Sequence, residues 1–189
     1  MRVIAGSAKG LKLASVPGKS TRPITDQVKE ALFNIIGFDV VGKAFLDLFG
    51  GTGAVGIEAL SRGAEHVVFL DINYQAYNVI KENLEATNLA LYATVMKKDA
   101  FVYLRQEPDQ EFDYIYIAPP QYKSIWEHTM LTLDENPGWT HLDTILIVQI
   151  HPKEFKGNLI YTNFIVYDQR SYGDTLLIFY ERKLPESYF

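Results

Sequence analysis

The chain has 189 residues, 48% of them hydrophobic and 22% charged, with a formal net charge of −5; this is enough apolar material for one buried core and too little polar bias for disorder. It contains no cysteine, which excludes a disulfide framework, thiolate metal sites and any cysteine nucleophile. The opening residues lack the apolar run of a signal peptide and no later stretch is long enough to span a bilayer, so the expectation is a soluble, cytoplasmic protein without a membrane partner.

The charge is unevenly spread. Residues 1–30 carry six basic groups (Arg2, Lys9, Lys12, Lys19, Arg22 and Lys29) against Asp26 and Glu30, a balance of +4 that leaves −9 for the remainder. A basic arm on an acidic body is a usable phosphate-binding footprint, and the competing reading is an ordinary solvated N-terminus. Arg2 to Val16 alternates apolar and polar residues around a turn at Ser7–Gly10, which predicts a small hairpin stopped by Thr21-Arg22-Pro23. Thr25 or Asp26 then caps a helix to about Ile36, with Val28, Leu32, Phe33 and Ile36 on one face.

From Ala44 onward short apolar strands alternate with amphipathic helices. AFLDLF, HVVFLD, Ala93 to Met96, FDYIYIA and TILIVQI read as strands, separated by helices at Ala54–Ser61, Tyr74–Thr87, near Phe101–Arg105 and at Lys123–Leu133. Near-continuous β-branched and apolar runs of this kind predict a parallel, doubly wound sheet covered on both faces. Leu159–Tyr167 and Thr175–Tyr180 have no room for a helix between them and predict a closing hairpin with one antiparallel strand. The fold class expected is α/β and Rossmann-like, with residues 1–40 as a hairpin-and-helix extension of a nucleotide-binding unit over 41–189.

The first strand ends in Asp47-Leu48-Phe49-Gly50-Gly51-Thr52-Gly53. Glycines after a strand let the backbone approach a ligand, and the following helix offers unpaired N–H groups. Gly51, Gly53 and Gly56 also fit the dinucleotide pattern, so a nicotinamide cofactor competes. Asp47 tips the choice, because a carboxylate placed before the glycines sits badly beside a pyrophosphate and well beside the ammonium and sulfonium of S-adenosylmethionine. Asp71, ending the second strand 24 residues later, suits ribose hydroxyls in either cofactor, with Ile72 next to it. Asp99 and Ala100 follow the third strand, where Asp99 suits an adenine amino group or a plain helix cap.

The fourth strand ends Ala118-Pro119-Pro120-Gln121-Tyr122. This resembles the D/N-P-P-Y/F motif of methyltransferases acting on exocyclic base amines. The resemblance implies a proline-stiffened turn aiming backbone carbonyls into the site, with Tyr122 as a stacking platform. Further segments (RVIAGSAKGLKL, TRPITDQVKEALFNII, LDLFGGTGAVGIEALSRGA and RSYGDTLLIFY) resemble the bacterial 16S rRNA guanine-N2 methyltransferase D family from Arg2 to about Lys183. That family implies the layout of the class I methyltransferases and methyl transfer from S-adenosylmethionine to N2 of a guanine in 16S rRNA or the small ribosomal subunit. No metal is implied, and a monomer or weak dimer is expected. RNA contact is expected through Arg2, Lys9 and Lys12 of the basic arm and through Arg22 and Lys29 of the family-like segment, for which the competing reading is an exposed helix face. It is also expected through Arg170 and Tyr172 on the loop between the final strands, for which the competing reading is an ordinary hairpin turn. The sequence departs from the motif in two places: Ala118 replaces the amine-orienting acid, and Gln121 is inserted before the aromatic. The alternatives are a catalytically weakened RNA-binding or assembly factor, a nicotinamide oxidoreductase, and a DNA adenine or small-molecule amine methyltransferase. The four histidines (His66, His128, His141 and His151) have no metal-ligand spacing.

Overall fold

A computed structural model describes residues 1–18, 24–157 and 159–184. The predicted alternation forms one seven-stranded sheet: β1 (Ala44–Asp47), β2 (His66–Leu70), β3 (Ala93–Met96), β4 (Phe112–Ile117), β5 (Thr140–Ile150), β6 (Phe164–Tyr172) and β7 (Thr175–Arg182). Their order across the sheet is β3-β2-β1-β4-β5-β7-β6, with β1 to β5 parallel and β7 antiparallel to both its neighbours. This is the Rossmann-like class I methyltransferase arrangement.

Neighbouring side chains of β1 point to opposite faces, as the period of a strand requires. Phe45 joins an apolar layer with α1 (Asp26–Ile36), α2 (Ala54–Ser61) and α3 (Tyr74–Ala86), built from Leu32, Phe33, Ile57, Ile80 and Leu84. Leu46 faces the other layer, where Tyr103 and Leu104 of α4 (Ala100–Leu104) and Trp126, Met130 and Leu133 of α5 (Ile125–Glu135) close the core. Thr25 caps α1 by accepting the Val28 amide at 3.2 Å, and Asn73 caps α3 by accepting the Gln75 amide at 2.8 Å.

The N-terminal segment forms the small hairpin expected and is fastened to α2 as well. Arg2 and Lys12 make an antiparallel bridge, Val3 donates to the Leu11 carbonyl at 2.9 Å, Gly10 to the Val3 carbonyl at 2.9 Å and Leu13 to the Met1 carbonyl at 3.2 Å, while amides near the turn reach α2. Ile4 and Ala5 donate to the Glu58 carboxylate at 2.8 and 3.0 Å, Ser7 to the Ser61 carbonyl at 2.8 Å, and Ala8 to Ser61 Oγ at 3.0 Å. The segment is a strap laid across a helix. Gly6 sits so close that a Cβ there would meet the Ser61 carbonyl oxygen at 1.7 Å. Val3, Ala8 and Leu13 of the strap are buried in the same layer as Phe45 and Phe69.

Element boundaries also moved, two of them for a visible reason. The last pair of strands begins at Phe164 rather than Leu159, because Asp134 accepts the amides of Thr162 and Asn163 at 2.7 and 2.6 Å and withholds them from pairing. Helix α5 starts at Ile125 rather than Lys123, since Tyr122 and Ser124 take left-handed φ values of 62° and 51°.

Candidate functional site

Parallel strands place their carboxyl ends on one edge, and that edge carries the predicted acids. Asp47 ends β1, Asp71 follows β2, and Asp99 lies past β3. Ligands of open α/β sheets bind outside these ends, where the strand order reverses; here β1 is followed in space by β2 on one side and β4 on the other.

Residues Phe49 to Gly53 turn tightly from β1 into α2. Gly50 donates to the Leu70 carbonyl at 2.8 Å and Gly53 to the Gly50 carbonyl at 2.7 Å. Gly53 occupies the cap of α2 with a φ of 77°, a conformation that favours glycine, and its side holds no hydrogen-bonding group that would compete with a ligand. Asp71 fastens the turn from β2: its carboxylate accepts the Gly51 amide at 2.9 Å and the Asn73 amide at 2.8 Å. Each oxygen retains a lone pair for a further donor.

Asp47 is 1% exposed, and its Oδ1 has no hydrogen-bond partner. Burial pushes its carboxyl up to about 7 against the pull of the Phe49 amide, with the nearby Asp71 carboxylate adding to the rise. A buried carboxylate with one oxygen unmatched is costly unless a donor or cation arrives. Thr52 is buried beside it and Ile72 is 67% exposed at the rim. Asp99 caps α4, accepting the Phe101 and Val102 amides at 2.8 and 3.0 Å, and Ala100 is buried behind it.

After β4, Ala118 is half-buried, Pro119 buried and Pro120 exposed. Tyr122 is 65% exposed, and its amide donates to Glu154 Oε2 at 2.8 Å. The other oxygen of Glu154 accepts the His151 amide at 3.1 Å, while His151 Nδ1 accepts the Lys153 amide at 3.1 Å. The Tyr122 and His151 rings lie 5.6 Å apart, and His151 Nε2 is 3.8 Å from Asp174 Oδ1. Three loops therefore meet beside the Pro-Pro turn: those after β4, after β5 and between β6 and β7. Sequence reasoning missed Glu154. Its signal was His151-Pro152-Lys153-Glu154, a capping box with proline at the first position.

Asn83 of α3 was missed as well, and no motif marks it. It is 1% exposed, accepts the Ala14 amide at 2.7 Å, and donates to the carbonyls of Ala14 at 3.1 Å and Thr52 at 2.8 Å. One side chain thus ties the N-terminal strap to the glycine turn.

The basic residues fall into three groups. Arg2, Lys9 and Lys12 are exposed on the strap, Arg2 pairing with Asp26 at 3.8 Å. Lys29 is a correction: its side chain is 0% exposed, paired with Glu58 at 3.3 Å and donating to the Arg2 carbonyl at 2.6 Å, so it holds the strap and cannot touch RNA. Arg22 lies outside the described residues. Arg170 and Tyr172 stand on β6 itself rather than on a loop, the connection being the two residues Gly173 and Asp174. Arg170 pairs with Asp168 at 3.0 Å, and Tyr172 packs against the first apolar layer. Among the described residues no group of His, Asp or Glu could hold a metal ion, and no helix is long and apolar enough to cross a membrane.

The family model described as Conserved hypothetical protein 95 matches residues 1–181. The Haemophilus influenzae protein named Ribosomal RNA small subunit methyltransferase D is 33% identical over 79% of this chain and 78% of its own. The chain belongs to the small subunit methyltransferase D family. Bacillus subtilis YlbH is 38% identical over 97% of this chain and all of its own. The Escherichia coli protein yhhF superposes with a TM-score of 0.85 at 29% identity, over 97% of this chain and 98% of its own.

Proposed function

We propose that this chain transfers a methyl group from S-adenosylmethionine to the exocyclic N2 amine of a guanine in 16S ribosomal RNA. The observation that carries the cofactor assignment is the buried Asp47 carboxylate, with an unmatched oxygen, beside a glycine turn. It fits the ammonium group of an amino-acid moiety and repels a pyrophosphate. Asp71 and Ile72 suit the ribose and base, and Asp99 with Ala100 suits the adenine edge; Phe49, Gly50, Gly51, Thr52 and Gly53 supply the close-fitting backbone. When bound, S-adenosylmethionine supplies an electrophilic methyl group on a sulfonium sulfur.

The protein's own work at the acceptor is orientation. A guanine N2 lone pair is delocalised into the ring, so the amine must be turned toward the methyl group before it can attack. Tyr122 offers a face on which the base stacks. Ala118 has no side-chain acceptor, so the amine protons fall to the carbonyls of Ala118 and Pro119 with the Gln121 amide. Holding reactants in line in this way is worth several kcal/mol of barrier. The base reaches this pocket by leaving its stack.

The test is transfer of a labelled methyl group to unmethylated small-subunit particles, followed by nucleoside analysis. Label in N2-methylguanosine is the expected result, and label in another nucleoside would overturn the acceptor assignment. Ala118 favours a second reading, a weakened RNA-binding or assembly factor. Ala118→Asp decides between them: a large gain in turnover supports the second reading, and a loss shows that the native arrangement works.

A further inference from the structure

The exposed start of α3 carries an unassigned feature. Lys97 Nζ lies 5.4 Å from the centre of the Tyr74 ring, Tyr74 stacks on Tyr77 with centroids 6.4 Å apart and planes 20° from parallel, and Lys81 Nζ lies 5.5 Å from the centre of the Tyr77 ring. The four side chains make a ladder of cation, ring, ring and cation. Tyr74 is 62% exposed, Tyr77 half-buried, and both lysines are exposed.

The sequence places this ladder with some economy. Tyr74, Tyr77 and Lys81 are spaced three and four residues apart, so they share one helix face over about 10 Å of rise. Lys97 joins from the carboxyl end of β3, the outermost strand of the sheet on this side. The ladder therefore starts at the same edge as Asp71 and Asp99 and runs down the open flank. A groove lined by Tyr77, Lys81, Leu84, Glu85, Ala90 and Val95 adjoins it.

Exposed tyrosines singly need no explanation, and a lysine over a ring is a common surface contact. Two rings held between two cations are what single this set out. A base takes a ring face by displacing the lysine that lies over it, and the displaced ammonium then meets a flanking phosphate. With Lys29 withdrawn into the core, the RNA footprint of an acidic body must also draw on cations outside the strap.

We infer that Lys97, Tyr74, Tyr77 and Lys81 form a stacking surface for a single-stranded segment of the substrate RNA, flanking the cofactor side of the site. This rests on the reading that RNA is the substrate. Binding of a labelled, unmethylated small-subunit rRNA transcript is measured by fluorescence anisotropy across a salt series. Tyr74→Ala with Tyr77→Ala weakens binding about tenfold or more, and Lys81→Ala with Lys97→Ala weakens it and flattens the salt dependence by about two phosphate contacts. Both double variants keep the wild-type circular dichroism spectrum and S-adenosylmethionine affinity. RNA affinity and salt slope unaltered in both would overturn the inference. A wild-type protein that binds no rRNA would instead overturn the substrate reading beneath it. Unaltered binding to naked RNA with impaired transfer to assembled particles would also overturn it, in favour of a ribosomal-protein contact.

Discussion

Asp47 is the residue through which pH enters. Its carboxyl is held at about 7 by burial, well above the unfolded value of about 4. The native state therefore binds a proton that the unfolded state has released over the window between them, and stability falls as pH rises from about 4 to 7. Asp47→Asn removes that slope, which thermal melts across this range will register. With S-adenosylmethionine seated on Asp47 as proposed, cofactor affinity is expected to run the opposite way. A cation prefers the ionised form, so S-adenosylmethionine binding measured by calorimetry strengthens as pH rises through 7, and the Asn variant loses both affinity and pH dependence. Lys29 makes a second case at this scale. Glu58 holds the amides of Ile4 and Ala5 and is paired with Arg62 at 2.8 Å as well as with Lys29. Lys29→Met leaves that carboxylate with three partners and costs about 1–3 kcal/mol. Glu58→Gln strands a buried ammonium and costs about 3–5 kcal/mol. Denaturant titrations should rank the two in that order, with RNA affinity of the folded Lys29 variant unchanged.

Loops meeting at one end of the sheet decide how the Pro-Pro turn is shaped. Gln121 lengthens the Pro-Pro turn by one residue, and the chain absorbs it with left-handed backbone at Tyr122 and Ser124, at a cost of order 1–3 kcal/mol each. Glu154 offsets part of that cost by accepting the Tyr122 amide while fixing His151 with its other oxygen. If Tyr122 is the base platform, Glu154 acts through it. Glu154→Ala should then lower turnover about tenfold with cofactor affinity intact, and adding it to Tyr122→Ala should change nothing further. Full additivity in that cycle would place Glu154 outside the acceptor half. On the other side of the sheet α2 does comparable work: it begins at the glycine turn and holds the strap along its length, so strap and glycine turn share one rigid support.

Across the whole molecule a net charge of −5 sets how RNA binding should respond to salt. Affinity has to come from local clusters against a repulsive background, so it should fall steeply with ionic strength. Lys9→Ala with Lys12→Ala should flatten that dependence by about two contacts in anisotropy titrations, with no loss of cofactor binding. The large-scale architecture was legible because it follows from period and length. Runs such as HVVFL are too short and too uniformly apolar for anything but buried strands, and α2 spans Ala54–Ser61 as its sequence pattern predicts. Asp47, Asp71 and Asp99 were legible as strand-end residues for the same reason, since parallel strands separated by single helices must expose their carboxyl ends together.

Side-chain partners across long separations were not legible, and Lys29 shows why. It lies three, four and seven residues before Leu32, Phe33 and Ile36, on the apolar face of α1, so its burial was implicit in the period; what makes burial tolerable is Glu58, which no local rule connects to it. The hairpin of the strap was legible in its alternation, but the amides that cross to Glu58 and Ser61 of α2 were not, because alternation reports which residues are apolar and not which distant groups their amides will bond. Leu159 and Ile160 read as strand, yet a strand exists only where a neighbour offers its edge, and Asp134 had already taken the amides that follow. The sequence by itself determined the order of strands and helices, the sheet they form and the edge on which its acids lie, because short-range periodicity and chain connectivity leave few alternatives. Only the tertiary structure decided which charges are buried in pairs, which loop clamps Tyr122 and which residue ties the strap to the glycine turn, because each depends on groups tens of residues apart meeting at hydrogen-bond distance.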